Sequence, residues 1–347
     1  MNAPDTDPIK YYTGDALRNK RYKFVDPNDP GKEITVDPYI PSEKLVEAVK
    51  LAQILKRPLL LEGEPGCGKS RLAEAIAFEF HGENFKKFYF EWNIKSTSKA
   101  GDGLYTIDHL RRLRDASIVN KTQNNVDQQS NNPKHTFELE YPGDYINLGE
   151  LGKAFEISTT VAMDKPPVVL IDEIDKADID FPNDLLMELD KMQFVITETK
   201  DKTRIVAKKK PLIIITSNHE KSLPQAFLRR CLFHYVNFPE PKDLSDIIRA
   251  HFEGIDEDIV SNSVSSFFAM REYIKGRAIS NKNINTSELI DWVRIIYHYK
   301  KEGRQMNWPV EGKTGTPEHM QALLKDLETI QTFLEMPKND KEAAKLK

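Results

Sequence analysis

The stretch from Leu59 to Ile76 constrains this chain more than any other. Leu59-Leu60-Leu61 is a short apolar run, Gly63-Glu64-Pro65-Gly66-Cys67-Gly68-Lys69-Ser70 follows with three glycines, and Leu72, Ala73, Ile76 and Ala77 then recur on one helical face. The order is buried strand, glycine loop, helix. Residues 63–70 satisfy G-x-x-x-x-G-K-[ST], in which glycines let successive backbone N–H groups converge on phosphate at a helix N-terminus. Gly63, Glu64, Pro65, Gly66, Cys67 and Gly68 are therefore candidate phosphate-loop residues, with Arg71 just behind them. Lys69 is expected to reach the β- and γ-phosphates of a nucleotide, and the Ser70 hydroxyl to ligate Mg²⁺. A plain glycine turn with a solvated lysine accounts for neither the glycine triplet nor the apolar strand before it.

Two further apolar runs end in polar residues suited to the same chemistry. Pro167-Val168-Val169-Leu170-Ile171 runs into Asp172-Glu173, and Pro211-Leu212-Ile213-Ile214-Ile215 into Thr216-Ser217-Asn218. Such runs read as strands buried on both faces of a parallel sheet, and ligands bind outside the carboxyl ends of these strands. Asp172 is expected to hold Mg²⁺ through its water shell and Glu173 to polarise the water attacking the γ-phosphorus. Asn218 can hydrogen-bond that water or a γ-phosphate oxygen, although asparagine is also a common cap at a strand end. Upstream, Ser42 is an N-cap for an amphipathic helix carrying Leu45, Ala48, Val49 and Ala52. Tyr39 and Ile40, just before it, can pack on an adenine ring or in a core.

The first 35 residues carry Pro4, Pro8, Pro27 and Pro30 and read as an irregular arm. Phe85–Trp92 reads as a strand, 108–116 and 148–161 as helices, and 122–133 as a mobile polar loop. A helix is expected from Phe181, then a β-hairpin from 194–199 and 203–207. Lys208-Lys209-Lys210 reads better as protection of a strand edge than as a polyanion site. Leu223–Cys231 is a short helix ending in Arg229 and Arg230, followed by a last strand over 233–238. From 241 to 336 apolar residues recur at helical spacing in four segments, the fourth spanning 323–334.

Net charge is −4, which gives no electrostatic footprint for general nucleic-acid binding. No run approaches the roughly 18 apolar residues of a membrane span, and the first residues lack a signal-peptide pattern. The two cysteines, Cys67 and Cys231, form neither a disulfide framework nor a metal pattern. A soluble, cytoplasmic protein is the expectation.

Leu61–Gly66, Asp172–Ala177, Ile215–Asn218 and Leu223–His234 together resemble the AAA+ ATPases, and most of all their MoxR branch. The resemblance implies an α/β phosphate-loop fold, with an αβα nucleotide-binding core on a parallel sheet over 36–240 and a small all-α lid over 241–336. The irregular arm at 1–35 would precede it and a charged tail at 337–347 would follow. ATP and Mg²⁺ are the implied cofactors and ATP hydrolysis the implied activity, with Walker A at Gly63–Ser70, Walker B at Asp172 and Glu173, and sensor 1 at Asn218. Arg229 or Arg230, with Arg230 favoured, would be a finger acting on a neighbouring subunit's ATP. The implied partners are copies of the chain in a ring, a hexamer being favoured, and a protein partner, for which one bearing a von Willebrand A domain is the natural guess. One departure stands out. Where many relatives carry a sensor 2 arginine in the lid, Asn285–Trp292 offers Glu288, with Lys282 or Arg277 upstream as substitutes.

Two other readings stay open: a nucleotide-gated scaffold that hydrolyses slowly, and a small-molecule kinase, for which Glu173 and Asn218 would be superfluous. A GTPase is disfavoured because Asn120-Lys121-Thr122-Gln123 lacks the Asp of N-K-x-D.

Overall fold

The computed structural model describes residues 11–27, 29–115, 145–160, 163–199, 202–277, 284–304 and 318–324. They fall into two compact units. One holds the described parts of Met1–Tyr12, Glu47–Glu62 and Ile76–His234; the other holds those of Thr13–Val46, Gly63–Ala75 and Tyr235–Lys347.

The first unit holds most of the sheet. Five strands, β3 (Leu59–Gly63), β4 (Tyr89–Asn93), β7 (Val168–Asp172), β10 (Leu212–Ser217) and β11 (Leu232–Val236), lie in the order β11-β3-β10-β7-β4. β10 pairs parallel with both β3 and β7, and β4 parallel with β7. The apolar runs account for this: every residue of Leu59–Leu61 and Val168–Ile171 is fully buried, as a strand covered on both faces requires. Register sets the carboxyl rim. Asn93 pairs with Asp172, Ile215 with Ile171, and Ser217 with Glu62, so the residues just past the apolar runs emerge together. One face packs Leu60, Val169, Ile171, Ile213 and Ile215 against Leu151, Ala154 and Phe155 of helix α4 (Glu150–Thr160).

The second unit has a helical core. Helices α8 (Pro241–His251), α9 (Glu257–Arg277) and α10 (Thr286–Lys301) bury Leu244 and Ile248, then Val260, Val264, Phe267, Met270 and Ile274, then Leu289, Trp292, Val293 and Ile296. Three- and four-residue steps along α9 keep these side chains on one stripe. Leu323 and Leu324 join this core, while the rest of the expected fourth helix lies outside the described residues.

Several expectations need correction. The arm is not irregular throughout: β1 (Tyr22–Asp26) and β2 (Asp29–Val36) form an antiparallel hairpin with Tyr22 opposite Val36. Asp26 pairs with Asp29 where the chain reverses, and alternation over 32–36 buries Ile34 and Val36. The strand expected at Phe85 starts at Tyr89. Gly82, at φ +56°, follows the end of helix α2 (Lys69–His81), and a 3₁₀ segment, Gly82–Lys87, turns Phe85 back edge-on to Phe78 at 5.7 Å. The helix expected at Phe181 is two short pieces, α5 (Phe181–Asp184) and α6 (Leu186–Lys191). Residues 109–115 are helical (α3), β5 (Tyr105–Ile107) pairs with β6 (Ile146–Leu148), and the hairpin after α6 is shorter than expected, β8 (Gln193–Val195) with β9 (Arg204–Val206). Within the lysine triplet, the Lys209 ammonium donates to the carbonyls of Met163 and Asp164, at 2.8 and 2.5 Å. The loop expected at 122–133, Lys282 and the tail lie outside the described residues.

Candidate functional site

Gly63–Ser70 leaves β3 and enters α2, as its spacing requires. Gly66 and Gly68 sit at φ +75° and +90°, where only glycine is unstrained, and the Cys67 N–H donates to the Glu64 carbonyl at 3.4 Å. A side chain would clash outright at Gly66 and be tight at Gly68. A Cβ on Gly66 would lie 2.4 Å from Asn285 Cγ, and one on Gly68 would lie 3.3 Å from Tyr39 Cε2. The Lys69 side chain is buried, and its ammonium donates to the carbonyls of Gly63 and Glu64 at 2.8 and 2.9 Å. It is thus a buried cation at the start of a helix, held by weak neutral acceptors that a phosphate can replace. The Cys67 thiol, 3.9 Å from that ammonium, is pushed up by burial more than the lysine lowers it, so it is a packing group and not a nucleophile.

Tyr39 packs on Gly68 of the loop, and burial raises its phenol far above the ordinary range. Ile40 is half-buried beside it in sequence. Arg71 donates to the Asp37 carbonyl at 3.0 Å and pairs with Glu74.

At the rim of the sheet a chain of hydrogen bonds joins the carboxylates. Thr216 Oγ1 donates to Asp172 Oδ1 at 2.6 Å and accepts the Glu173 N–H at 2.8 Å. Glu173 is in the left-handed region at φ +57°. Its Oε1 accepts from Asn218 Nδ2 at 3.0 Å, and its Oε2 pairs with the Lys176 ammonium, whose affinity for its proton rises in return. Asp175, almost wholly buried, accepts the N–H groups of Asn218 and Glu220 at 3.0 and 2.9 Å. Asn218 is therefore held by its backbone while its amide meets Glu173. Asp172 and the Ser70 hydroxyl are hard oxygen donors of the kind Mg²⁺ accepts while keeping several of its own waters.

Arg230 donates to Asp190 Oδ2 at 2.7 Å and to the Ala226 carbonyl at 2.9 Å. Arg229 is exposed and has no side-chain partner among the described residues.

A doubly covered parallel sheet, a glycine loop feeding a helix after one central strand, and an acidic pair and an asparagine at the ends of two others define a phosphate-loop nucleotide-binding protein. Within that class the affiliation is specific. Residues 58–231, half of the chain, match the model for the AAA domain of the dynein-related subfamily, and the chain belongs to that AAA family. No curated protein matches it. Among the described residues no helix is long and apolar enough to cross a membrane.

Sequence reasoning missed Thr216, Asp175 and Arg271. Thr216 lies in β10 and Asn218 just past its end, two residues on, and that spacing was a usable signal. Arg271 interrupts the apolar stripe of α9 between Met270 and Ile274, and a charge on a buried stripe is a signal too. Glu288, found where a sensor 2 arginine was sought, has a local purpose: it completes a capping box with Asn285, the two exchanging bonds of 3.1 and 2.9 Å.

Proposed function

We propose that the chain hydrolyses ATP as a MoxR-like AAA+ machine, assembling into a ring, a hexamer being favoured, and remodelling a protein partner. What supports hydrolysis over mere binding is the bonded set Asp172, Thr216, Glu173 and Asn218, which fixes a carboxylate and an amide side by side on adjacent strands. In this reading Lys69 and the loop N–H groups hold the phosphates of ATP. Glu173 orients and polarises the attacking water, and Asn218 fixes the carboxylate's direction. Ser70 and Asp172 would hold Mg²⁺, which neutralises charge on the β- and γ-phosphate oxygens when bound. Residues 36–240 serve as the nucleotide core and 241–336 as the lid, and two free cysteines suit a cytoplasmic setting.

Arg230 is the proposed finger acting in trans, which requires its bond to Asp190 to open on assembly. Mixing Arg230→Ala with Lys69→Ala subunits, each inactive alone, tests this. Mixed rings contain interfaces joining an intact loop to an intact arginine, and phosphate release should partly return. Mixed oligomers without any recovered turnover would overturn the assignment. Proteins retained by ATP-loaded Glu173→Gln and not by Lys69→Ala identify the partner by mass spectrometry. The absence of any with a von Willebrand A domain would remove that part of the proposal.

One observation favours a slowly hydrolysing, nucleotide-gated scaffold as the second reading: both Glu173 oxygens are engaged, one by Asn218 and one by Lys176. Steady-state phosphate release measured across the assembly transition separates the two.

A further inference from the structure

Arg271 lies in the middle of α9, its side chain only 2% exposed. A guanidinium cannot shed its charge, so so deep a burial demands partners. It has three. It pairs with the Glu64 carboxylate in the phosphate loop, donates to the Ile284 carbonyl, and lies 3.7 Å over the Phe238 ring. Two of these contacts lead to the loop. The Glu64 carbonyl accepts from the Lys69 ammonium, and Ile284 precedes Asn285, whose side chain closes on Gly66.

Glu64 needs this explanation. Its position in the motif requires only a backbone, yet it puts a carboxylate into a loop whose ligand carries several negative charges. An uncompensated carboxylate there repels phosphate. We propose that Arg271 is a positioning residue for nucleotide binding: it neutralises Glu64, holds its carboxylate on the α9 side, and so leaves the loop to Lys69 and the backbone N–H groups. This inference rests on the nucleotide-binding reading of the loop and adds the residue that makes a loop containing Glu64 compatible with phosphate. The arginine comes from the second helix of the C-terminal set, not from the start of the third, where the sequence resemblance directs attention.

The test uses the full chain, with a fluorescent ATP analogue for affinity and steady-state hydrolysis for the split between KM and kcat. Arg271→Met should weaken binding about tenfold, within the usual range of coupling between sites, and raise KM with little change in kcat, because Glu173 and Asn218 are untouched. Arg271→Met combined with Glu64→Gln should recover most of that loss, since no carboxylate then needs neutralising. Arg271→Lys, which keeps charge without the planar fork, should fall between wild type and Arg271→Met. Wild-type affinity in a folded Arg271→Met protein, or a double variant as weak as the single, would overturn the proposal. Should Arg271→Met not fold, Arg271→Lys with and without Glu64→Gln makes the same comparison, and an unweakened Arg271→Lys or a failure of Glu64→Gln to relieve its loss would overturn it equally. A wild-type chain that binds no nucleotide would instead refute the reading of the loop itself.

Discussion

The carboxylate rim and the phosphate loop are held in opposite ways. At the rim the supporting groups come from neighbouring strands of one sheet: Asn218 and Glu173 are 45 positions apart, and every bond among Asp172, Thr216, Asp175 and Asn218 links the ends of β7 and β10. Parallel register and the 3₁₀ turn just after β7 bring them together. The loop takes its support from far along the chain, since Glu64 and Arg271 are 207 positions apart and Asn285 reaches Gly66. The rim is thus a product of the sheet, whereas the loop has local geometry but borrowed stabilisation. Reacting groups placed by one sheet and a binding loop braced by distant helices can fail separately.

The largest effect should come from the two groups with chemistry of their own. Lys69→Ala should cost more than a hundredfold in nucleotide affinity. Glu173→Gln should retain affinity and lose turnover by about 10²–10⁴-fold, the usual worth of a general base. Fluorescent-nucleotide titration beside phosphate release measures both, and equal loss of binding in the two variants would erase the distinction between loop and rim.

Thr216→Val tests the rim alone. It keeps shape but removes the hydroxyl that donates to Asp172 and accepts the Glu173 N–H, leaving that N–H without its acceptor. A stability loss of about 1–3 kcal/mol by denaturant titration and a fall in kcat with KM nearly constant are expected. A rise in KM alone would contradict the separation.

Gly66→Ala tests the loop alone. The new methyl group meets Asn285 at φ +75°, so affinity should fall while kcat at saturation holds, with strain of about 1–2 kcal/mol. Gly82→Ala is the matched control. It too has a positive φ, +56°, but nothing lies within 4 Å of its Cβ, so it should weaken folding without weakening nucleotide binding.

The smallest effect is one the two units share. Burial lowers the pKa of His81, whose ring meets the Pro166 carbonyl at 3.0 Å, and of His251, which meets the Ile247 carbonyl at 2.9 Å. Both are neutral when folded, while the unfolded chain takes up protons near pH 6.5, so their stabilisation is whole above that value and lost as pH falls through the lowered folded pKa values. Thermal midpoints should drop between pH 7 and 5.5, and His81→Gln should flatten part of that slope. An unchanged slope in His81→Gln would place the acid sensitivity elsewhere.

The phosphate loop, the three central strands and the polar residues at their ends were legible in the sequence. Each is written in contiguous residues: a glycine spacing, an apolar run of strand length, and the polar residue where that run stops. The same locality misled at the N-terminus, where prolines suggested an irregular arm although part of it pairs as a hairpin, and at Phe85, where a β-prone run was drawn back onto Phe78. The tertiary structure alone decided that Asn218 faces Glu173, that Asp175 braces Asn218, and that Tyr39 packs on Gly68. It alone paired Glu64 with an arginine from α9. These depend on register and on helix packing, and no local pattern encodes which remote charge will answer a carboxylate. A buried guanidinium must find a partner, and where it finds one is fixed only when the whole chain has folded.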